Sequence, residues 1–482
     1  MILRYCSRIV GSMLLVVGAS MSAPLALALF GEGAAAFAIA GGGTALLGAA
    51  LLWIGWRVPE PSKHGTIAAV VLGALAAIGI STLPYALWGA GPVDALFESM
   101  SGWTTTGATM YEKVEALPPA ILLWRALTQW LGGLGILFFV VVVLPYAEVD
   151  RIALLGAAAA RDTGRFRPQM STTGADLLKI YAFLTGLNAI LLYLGNLRAL
   201  DSVCLAMSTL STGGFSTHSG GLPVGSGLYV ELVTIVFMIL GATNFLLHVR
   251  IFQGEVLPHW RSELFRIFMV LLLATVALVT IDLVLQRPED GFGASFRRSL
   301  FHSVSFCTTS GFPTGDGGGL PWPAHAKTLL VTVMFFGGMG GSTAGGLKMQ
   351  QWILAARATY REILRLIHPS RVYVVRLQGD PVAEAVMDRY LLLVMFWIVL
   401  FAASAAVLLA SGLDLETALS SAAGALNNAG STFGRTAKHW GGLTSAAKLL
   451  AAGLMLVGRF EVFGLLAPLS PVAWRLSRHP GG

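Results

Sequence analysis

Four short polar runs, each built around a glycine, recur along this chain in one register: TTTGAT at Thr104 to Thr109, STGGFS at Ser211 to Ser216, TTSGFPT at Thr308 to Thr314 and NNAGST at Asn427 to Thr432. Counted back from Gly107, Gly214, Gly311 and Gly430, a hydroxyl stands six residues earlier as Ser101, Ser208 and Ser305, with Gly424 in the fourth copy. Three residues before the glycine come Thr104, Ser211, Thr308 and Asn427. Asp94 and Asp201 stand thirteen residues before theirs, no such acid opens the third copy, and Glu416 is offset by one in the fourth. Self-similarity in a fixed register signals one structural unit used repeatedly.

The medium in which that unit folds follows from composition. Hydrophobic residues make up 55% of the chain and charged residues 12%, against about a quarter charged in soluble domains. Mean hydropathy is +0.72. This is an all-α integral membrane protein. Stretches of the roughly 20 apolar residues needed to cross a bilayer occur at 9–30, 34–56, 66–88, 119–143, 174–196, 228–249, 264–285, 326–356, 385–410 and 443–466. Each glycine run lies between two such spans and follows about a dozen helix-compatible residues, too few to cross. Non-helical backbone is tolerated at membrane depth only when protein shields it or it lines water. Four such turns therefore converge on a shared interior path. The sequence predicts four pseudo-symmetric repeats of span, re-entrant helix, filter strand and span, at 66–147, 174–251, 262–357 and 384–468. A two-helix extension (1–65) precedes them, linkers occupy 148–173 and 358–383, and a tail occupies 469–482.

The formal charge of +7 is distributed as membrane loops require rather than as a nucleic-acid surface. Basic residues cluster at Arg4 and Arg8, at Arg57 and Lys63, at Arg151, Arg161, Arg165 and Arg167, at Arg250, Arg261 and Arg266, at Arg357 to Arg376, and at Arg475 and Arg478. The positive-inside rule assigns these to the cytoplasm. Both termini are then cytoplasmic, and the glycine runs open outward. A basic tip, an apolar run and SMSAP resemble a signal peptide, but Leu25 to Phe30 prolongs the apolar run, as an uncleaved helix does. The linkers, with RDTGRFRPQ and REILRLIHPSRVYVVRLQGD, suit either docking segments or membrane-surface helices. Cys6, Cys204 and Cys307 have no paired spacing, so neither a disulfide framework nor a thiolate metal site is indicated.

A bare monovalent cation needs several oxygens of moderate strength, because carboxylates hold it too firmly for conduction and an apolar wall replaces no water. Backbone carbonyls meet that need, and glycine accepts the dihedrals that turn successive carbonyls inward. The candidate filter is Thr105, Thr106 and Gly107; Thr212, Gly213 and Gly214; Thr309, Ser310 and Gly311; Asn428, Ala429 and Gly430. The C-terminal ends of the re-entrant helices favour a cation at the membrane centre. Small residues also serve helix packing, which suits Gly132, Gly133 and Gly135 in QWLGGLG; four glycines in common register outside the spans favour the filter reading. The span at 326–356 holds six glycines in ten residues, Gly337 to Gly346. At about 1 kcal/mol for each glycine relative to alanine, the helix should break there. Arg459 lies about sixteen residues into the last span, where a charge costs at least ~2.5 kcal/mol and usually faces the protein interior or a watery cavity; the alternative is a side chain snorkelling to the cytoplasmic interface. Arg125 reads as structural, Glu461 as paired elsewhere, and His218, His248 and His302 as surface or packing residues.

TTTGAT, STGGFSTHSGG, TQWLGGLGI at Thr128 to Ile136, FGGMGGSTAGGLK at Phe336 to Lys348 and GRFEVF at Gly458 to Phe463 together resemble the TrkH/TrkG/KtrB superfamily of potassium transport subunits. With its extra N-terminal pair, the chain is most similar to the TrkH type, and the likeness extends over essentially its whole length. The resemblance implies a pseudo-fourfold pore for K+ in one subunit, a homodimer, a cytosolic nucleotide-binding regulator of the TrkA type and residence in the bacterial inner membrane. It implies a gate beneath the filter formed by Gly337, Gly338, Gly340, Gly341, Ser342, Thr343, Gly345, Gly346 and Lys348, with Arg459 repelling cations while the gate is closed. Related sodium carriers have serine at the first filter glycine, so Gly107 implies a preference for potassium. NNAGST departs most from the family pattern, lacking the usual hydroxyls before its glycine.

Gated conduction, coupled symport and a membrane enzyme are the competing functions. Coupling needs titratable groups along the path, and the spans offer few obvious ones. No HExxH pair, GxSxG elbow or Walker loop supports catalysis or an organic cofactor on this chain.

Overall fold

The computed structural model describes residues 2–57, 63–143, 166–223, 225–314 and 322–466. Most of the 148–173 linker, the tail from 469, and the side chain of Glu461 lie outside the described residues and side chains.

Among the described residues, seven helices are long and apolar enough to cross a membrane: Leu3–Ala28, Ala34–Ile54, Gly65–Leu87, Pro119–Phe138, Gly174–Leu194, Glu263–Gln286 and Glu384–Ala410. Ser445–Leu466 adds a further long helix, carrying Lys448 and Arg459. Between these lie four shorter helices, Pro92–Trp103, Ala199–Leu210, Gly291–Cys307 and Leu415–Leu426. At 1.5 Å per residue, 12 residues reach about 18 Å, well short of the roughly 30 Å hydrocarbon layer. The two N-terminal helices pack through glycine, where Gly11 and Gly48 bring the backbones so close that an added Cβ at Gly11 would lie 2.7 Å from the Gly48 oxygen.

Two expected spans are interrupted. At 228–249 a continuous helix was expected, but the chain forms Leu228–Ala242 and Phe245–Phe252, bent by 101°. The sequence carries a local cause, since Asn244 begins the second piece and its side chain accepts from Leu246 N, as an N-cap does. At 326–356, Ala324–Met334 and Met349–Ile367 are separated by the glycine-rich stretch, in which Gly337, Gly341 and Gly346 have positive φ. The two breaks face each other. Met339 N donates to Ala242 O at 2.9 Å, Thr343 N to Gly241 O at 3.1 Å, and Phe245 N to Gly341 O at 2.9 Å. Each interruption thus satisfies backbone groups that the other leaves without a helical partner.

Ion pairs join neighbouring repeats around the bundle. Arg297 meets Glu231 at 2.6 Å, Lys327 meets Glu416 at 2.8 Å, and Lys448 meets Asp94 at 2.8 Å. The third short helix also has its acid: at 17 residues it starts earlier than its counterparts, just after Asp290, so that fixed spacing from Gly311 overlooked it. On the opposite side of the third and fourth repeats, Arg357 pairs with Glu263, whose other oxygen accepts from Gln378 N at 3.0 Å. A two-residue antiparallel pair, Arg376–Leu377 with Asp380–Pro381, closes that segment.

The fourth short helix shows what an exposed cap contributes. Asp414 accepts from Thr417 N at 3.0 Å and from Thr417 Oγ1 at 2.7 Å, and these donors hold its carboxyl below the usual range. Because the folded value is depressed, this stabilisation is complete at neutral pH and disappears only as acid passes below the ordinary carboxylate range. Asp414→Ala should cost about 1 kcal/mol, read as a lower thermal midpoint of the purified protein at pH 7, with the difference from the parent narrowing in acid.

Candidate functional site

Each short helix ends in the same turn. The N–H one residue before the key glycine donates to the carbonyl five residues earlier, in Thr106 to Ser101 (2.9 Å), Gly213 to Ser208 (2.8 Å), Ser310 to Ser305 (2.9 Å) and Ala429 to Gly424 (2.9 Å). The preceding N–H bonds three residues back, as in Thr105 to Gly102 at 2.9 Å and Asn428 to Ala425 at 3.3 Å. These paired bonds form a Schellman cap, whose left-handed residue is normally glycine. Here it is Thr105, Thr212, Thr309 and Asn428, at φ 52°, 53°, 56° and 51°. A β-branched residue in that region is an outlier, costing about 1–2 kcal/mol, and it occurs in three of the four copies. Nothing in the sequence announced it.

The next two residues carry the chain to Gly107, Gly214, Gly311 and Gly430, all at positive φ (84°, 78°, 74° and 62°). Their neighbours explain why side chains are excluded. A Cβ on Gly107 would overlap the carbonyl of Gly213, one on Gly214 that of Ser310, one on Gly311 that of Ala429, and one on Gly430 that of Thr106. First touches second, second third, third fourth, and fourth first. The four strands form a closed ring, and a cavity of about 90 Å³ is lined by all four glycines.

Support comes from behind the strands. Thr104 Oγ1 donates to Met100 O at 2.6 Å and meets Thr106 Oγ1 at 2.8 Å; Thr308 repeats this with Val304 O at 2.7 Å and Ser310 Oγ at 2.9 Å. In the fourth copy the amide of Asn427 reaches Ala423 O at 3.0 Å, while Asn428 Nδ2 donates to Met455 O at 2.7 Å and to Thr106 Oγ1 at 3.1 Å. The missing hydroxyls are thereby replaced by amide donors. Of the serines six residues before the glycines, Ser101 and Ser208 contribute as carbonyls, their hydroxyls having no hydrogen-bond partner among the described residues, whereas Ser305 Oγ also donates to Phe312 O at 2.8 Å.

Three bracing residues were not singled out from sequence as part of this site. Gln129 donates to Gly213 O at 2.6 Å and accepts from Phe215 N at 3.1 Å. Glu98, fully buried, accepts from Arg125 Nε at 2.7 Å, from Met110 N at 2.9 Å and from Thr109 Oγ1 at 3.0 Å. Arg125 in turn donates to Ser216 O at 2.9 Å and lies 4.1 Å from the Phe215 ring centre. Its structural role thus falls directly on the first two glycine segments. A second acid in the middle of a short helix, beyond the one in its first turn, was the available signal for Glu98. His248 packs as expected, its Nε2 3.1 Å from Thr243 Oγ1, and His302 contacts Arg298 O at 3.1 Å. His218 is part-buried between Asp201 and Glu115, at 3.7 Å and 3.9 Å.

The glycine-rich stretch packs against the left-handed residues. Thr343 Oγ1 reaches Leu210 O at 2.9 Å and lies 3.5 Å from Thr212 Oγ1, and Gly345 N donates to Thr309 Oγ1 at 2.8 Å. An added Cβ on Gly345 would collide with Asn428. Gly340 N is held by Gln350 Oε1 at 2.9 Å, and Lys348 Nζ donates to Ala344 O. Arg459 is 5% exposed, which removes the snorkelling alternative. It donates to Thr343 O at 2.7 Å and to Gly132 O at 3.1 Å. Among the described residues, no group of three or more His, Cys, Asp or Glu could hold a metal ion; the ring offers peptide oxygen and hydroxyls.

This architecture has known counterparts. The TrkH family, described as cation transport protein, matches residues 44–470. The chain belongs to the TrkH family of cation transport proteins. The Trk system potassium uptake protein TrkH of Halomonas elongata is 33% identical over 98% of this chain and 100% of that protein. The protein of the same name from Escherichia coli is 32% identical over 79% of each. The crystal structure of the potassium transporter TrkH from Vibrio parahaemolyticus superimposes with a TM-score of 0.88 at 30% identity, covering 98% of this chain and 100% of that one. As a TrkH-family member, the chain is an all-α, multi-span membrane transporter for cations.

Proposed function

We propose that this TrkH-family chain takes up potassium across the bacterial inner membrane through the ring of four filter segments. The observation that carries the reading is the cyclic contact of each glycine with the next segment's carbonyl, which joins Thr106–Gly107, Gly213–Gly214, Ser310–Gly311 and Ala429–Gly430 in a ring; in this reading the filter is Thr105 to Gly107, Thr212 to Gly214, Thr309 to Gly311 and Asn428 to Gly430. Peptide oxygens there replace the hydration shell of K+. The relatives named as potassium uptake proteins support the choice of ion. Gated conduction is favoured over symport because the filter residues include no titratable side chain to couple a proton. The chain is a transporter without a catalytic role or an organic cofactor of its own.

Residues Gly337 to Lys348 form the gate, and Arg459 locks it. Donation from Arg459 to the Thr343 carbonyl ties this stretch to the last helix, while the guanidinium charge repels cations beneath the filter. The units are an N-terminal pair (1–65) and four pore repeats (66–147, 174–251, 262–357, 384–468), with both termini cytoplasmic. The subunit works as a homodimer with a cytosolic nucleotide-binding regulator of the TrkA type, which docks on the basic cytoplasmic linkers.

Rubidium uptake into liposomes holding the purified chain tests the function: potential-driven uptake inhibited by potassium is expected, and none under any potential would end the reading. In the same assay, Arg459→Ala removes both the charge and the tie to Thr343. Uptake without the regulator should rise severalfold, and unaltered or lower uptake would remove Arg459 from the gate.

A further inference from the structure

The three ion pairs that join neighbouring repeats share one placement. The fourth residue of the helix after a glycine segment, Glu231, Lys327 or Lys448, meets the next repeat's short helix at Arg297, Glu416 or Asp94. The seam between the first and second repeats is different. Its fourth residue is Leu122, in the helix that starts at Pro119, so Asp201 in the first turn of the second short helix lacks the corresponding cation. Asp201 faces His218 instead, with Nε2 3.7 Å from its Oδ2, while Nδ1 of the same ring lies 3.9 Å from Glu115 Oε1. Glu115 belongs to the first repeat, and Asp201 and His218 to the second. Among the described residues, no lysine or arginine pairs with either acid.

Both distances exceed hydrogen-bond length, about 3.2 Å at most for N–H to oxygen, so charge alone attracts the ring to the acids. Lysine and arginine stay charged at neutral pH, whereas histidine gains or loses its charge between about pH 5 and 8. The His218 side chain is 28% exposed, so protons reach it. The backbone of the seam is held independently of that proton: Ser219 N and Oγ both donate to the Glu115 carboxylate at 2.6 Å, Val114 N donates to Ser219 Oγ at 2.9 Å, and His218 N donates to Ser216 Oγ at 3.0 Å. His218 and Ser219 also line the cavity that the four glycines share, which places this cluster at the mouth of the ring. The other charged or titratable groups on the cavity wall are Arg125, paired with Glu98, and His302 and Lys438. We infer that His218 is the proton-dependent member of the set of seam cations, and that its protonation weakens cation entry by offsetting one of the negative charges, Asp201 and Glu115, beside the mouth. With the ring neutral, both carboxylates act uncompensated and concentrate cations there. With the ring charged, it draws the loops of the first two repeats together. The effect on entry deepens the transport reading and rests on it, whereas the clamp between Glu115 and Asp201 does not.

Rubidium uptake into liposomes with equal pH inside and out removes any proton gradient and treats both orientations of the chain alike. Measured at about pH 6 and about pH 8, on either side of neutrality within the histidine range, the half-saturating rubidium concentration should be higher in acid. The difference should be at least ~2-fold, because local counter-ion concentration follows the charge at the mouth. His218→Gln should hold the alkaline value at both pH values, and His218→Lys the acid value, with maximal rates little changed. Where one variant fails to fold, the other carries the test, since each should abolish the pH dependence. His302→Gln should retain it. A parent without pH dependence, undiminished dependence in either His218 variant, or its loss in His302→Gln overturns the proposal. Hydrogen exchange of the full chain in nanodiscs reads the clamp without ion flux. Corrected for intrinsic rates, segments 111–117 and 216–222 should be better protected in acid in the parent and equally protected at both pH values in the variants; no difference in the parent overturns the clamp. That exchange difference, together with no rubidium uptake at any pH, would sink the transport reading and leave the clamp standing.

Discussion

Gly107→Ser should cut the preference for potassium over sodium by about tenfold or more, read as competition of each ion with rubidium uptake in liposomes. Two penalties coincide at this residue. Its φ of 84° is left-handed territory, costing an L-residue roughly 1–2 kcal/mol, and an added Cβ would overlap the carbonyl oxygen of Gly213. The overlap is with backbone, so no side-chain rotation relieves it. Either the first strand retreats or the second is pushed aside, and the oxygen ring loses its spacing. About 1.4 kcal/mol of lost discrimination corresponds to a factor of ten. Because the contacts close a cycle, Gly214→Ser, Gly311→Ser and Gly430→Ser should each do comparable damage, including in the fourth copy, whose sequence departs most. Gly442→Ala, with open space around its added Cβ, is the control. Unchanged selectivity in all four variants would mean that the ring is not the filter.

Glu98→Ala should be the most destabilising single change outside the ring. The carboxylate is fully buried, and its partner Arg125 is 2% exposed. Removing one member of a buried pair leaves an uncompensated charge and typically costs about 3–5 kcal/mol. Three further donors or acceptors depend on the pair, Met110 N, Thr109 Oγ1 and Ser216 O, so the segments following Gly107 and Gly214 lose their common anchor. The thermal midpoint of the purified protein should fall sharply, with loss of rubidium uptake. The double variant Glu98→Ala with Arg125→Met removes the stranded charge and should recover a substantial part of that stability, giving a coupling energy of opposite sign to the single losses. A double variant no more stable than Glu98→Ala would show that burial of the arginine charge is not the dominant cost.

Much of the fold was legible because it is local. Apolar stretches long enough to cross a bilayer require no partner to be recognised, and glycine content in 337–346 was enough to expect the absence of helix that the chain shows there. The short helices were legible from length, and their ends from the register of the polar runs. Other features depended on residues far apart in sequence. The break at Thr243 and Asn244 is stabilised by a stretch about a hundred positions later, so its surrounding apolar run read as a continuous span. Asp290 escaped notice because the third short helix is longer than the rest, and a fixed spacing measured from Gly311 cannot register a helix that starts early. The left-handed threonines were invisible for a different reason: intrinsic preference opposes them, and only tertiary packing overrides it.

The amino-acid sequence by itself determined that this protein resides in a membrane and repeats one polar-glycine unit four times, because hydropathy and register are properties of neighbours along the chain. Tertiary structure alone decided that each glycine meets the next copy's carbonyl, that Glu98 and Gln129 brace the strands, and that Arg459 reaches Thr343 across 116 positions. The physical reason is that peptide groups at membrane depth must find their partners within the protein, and which partner each one finds depends on how the helices assemble.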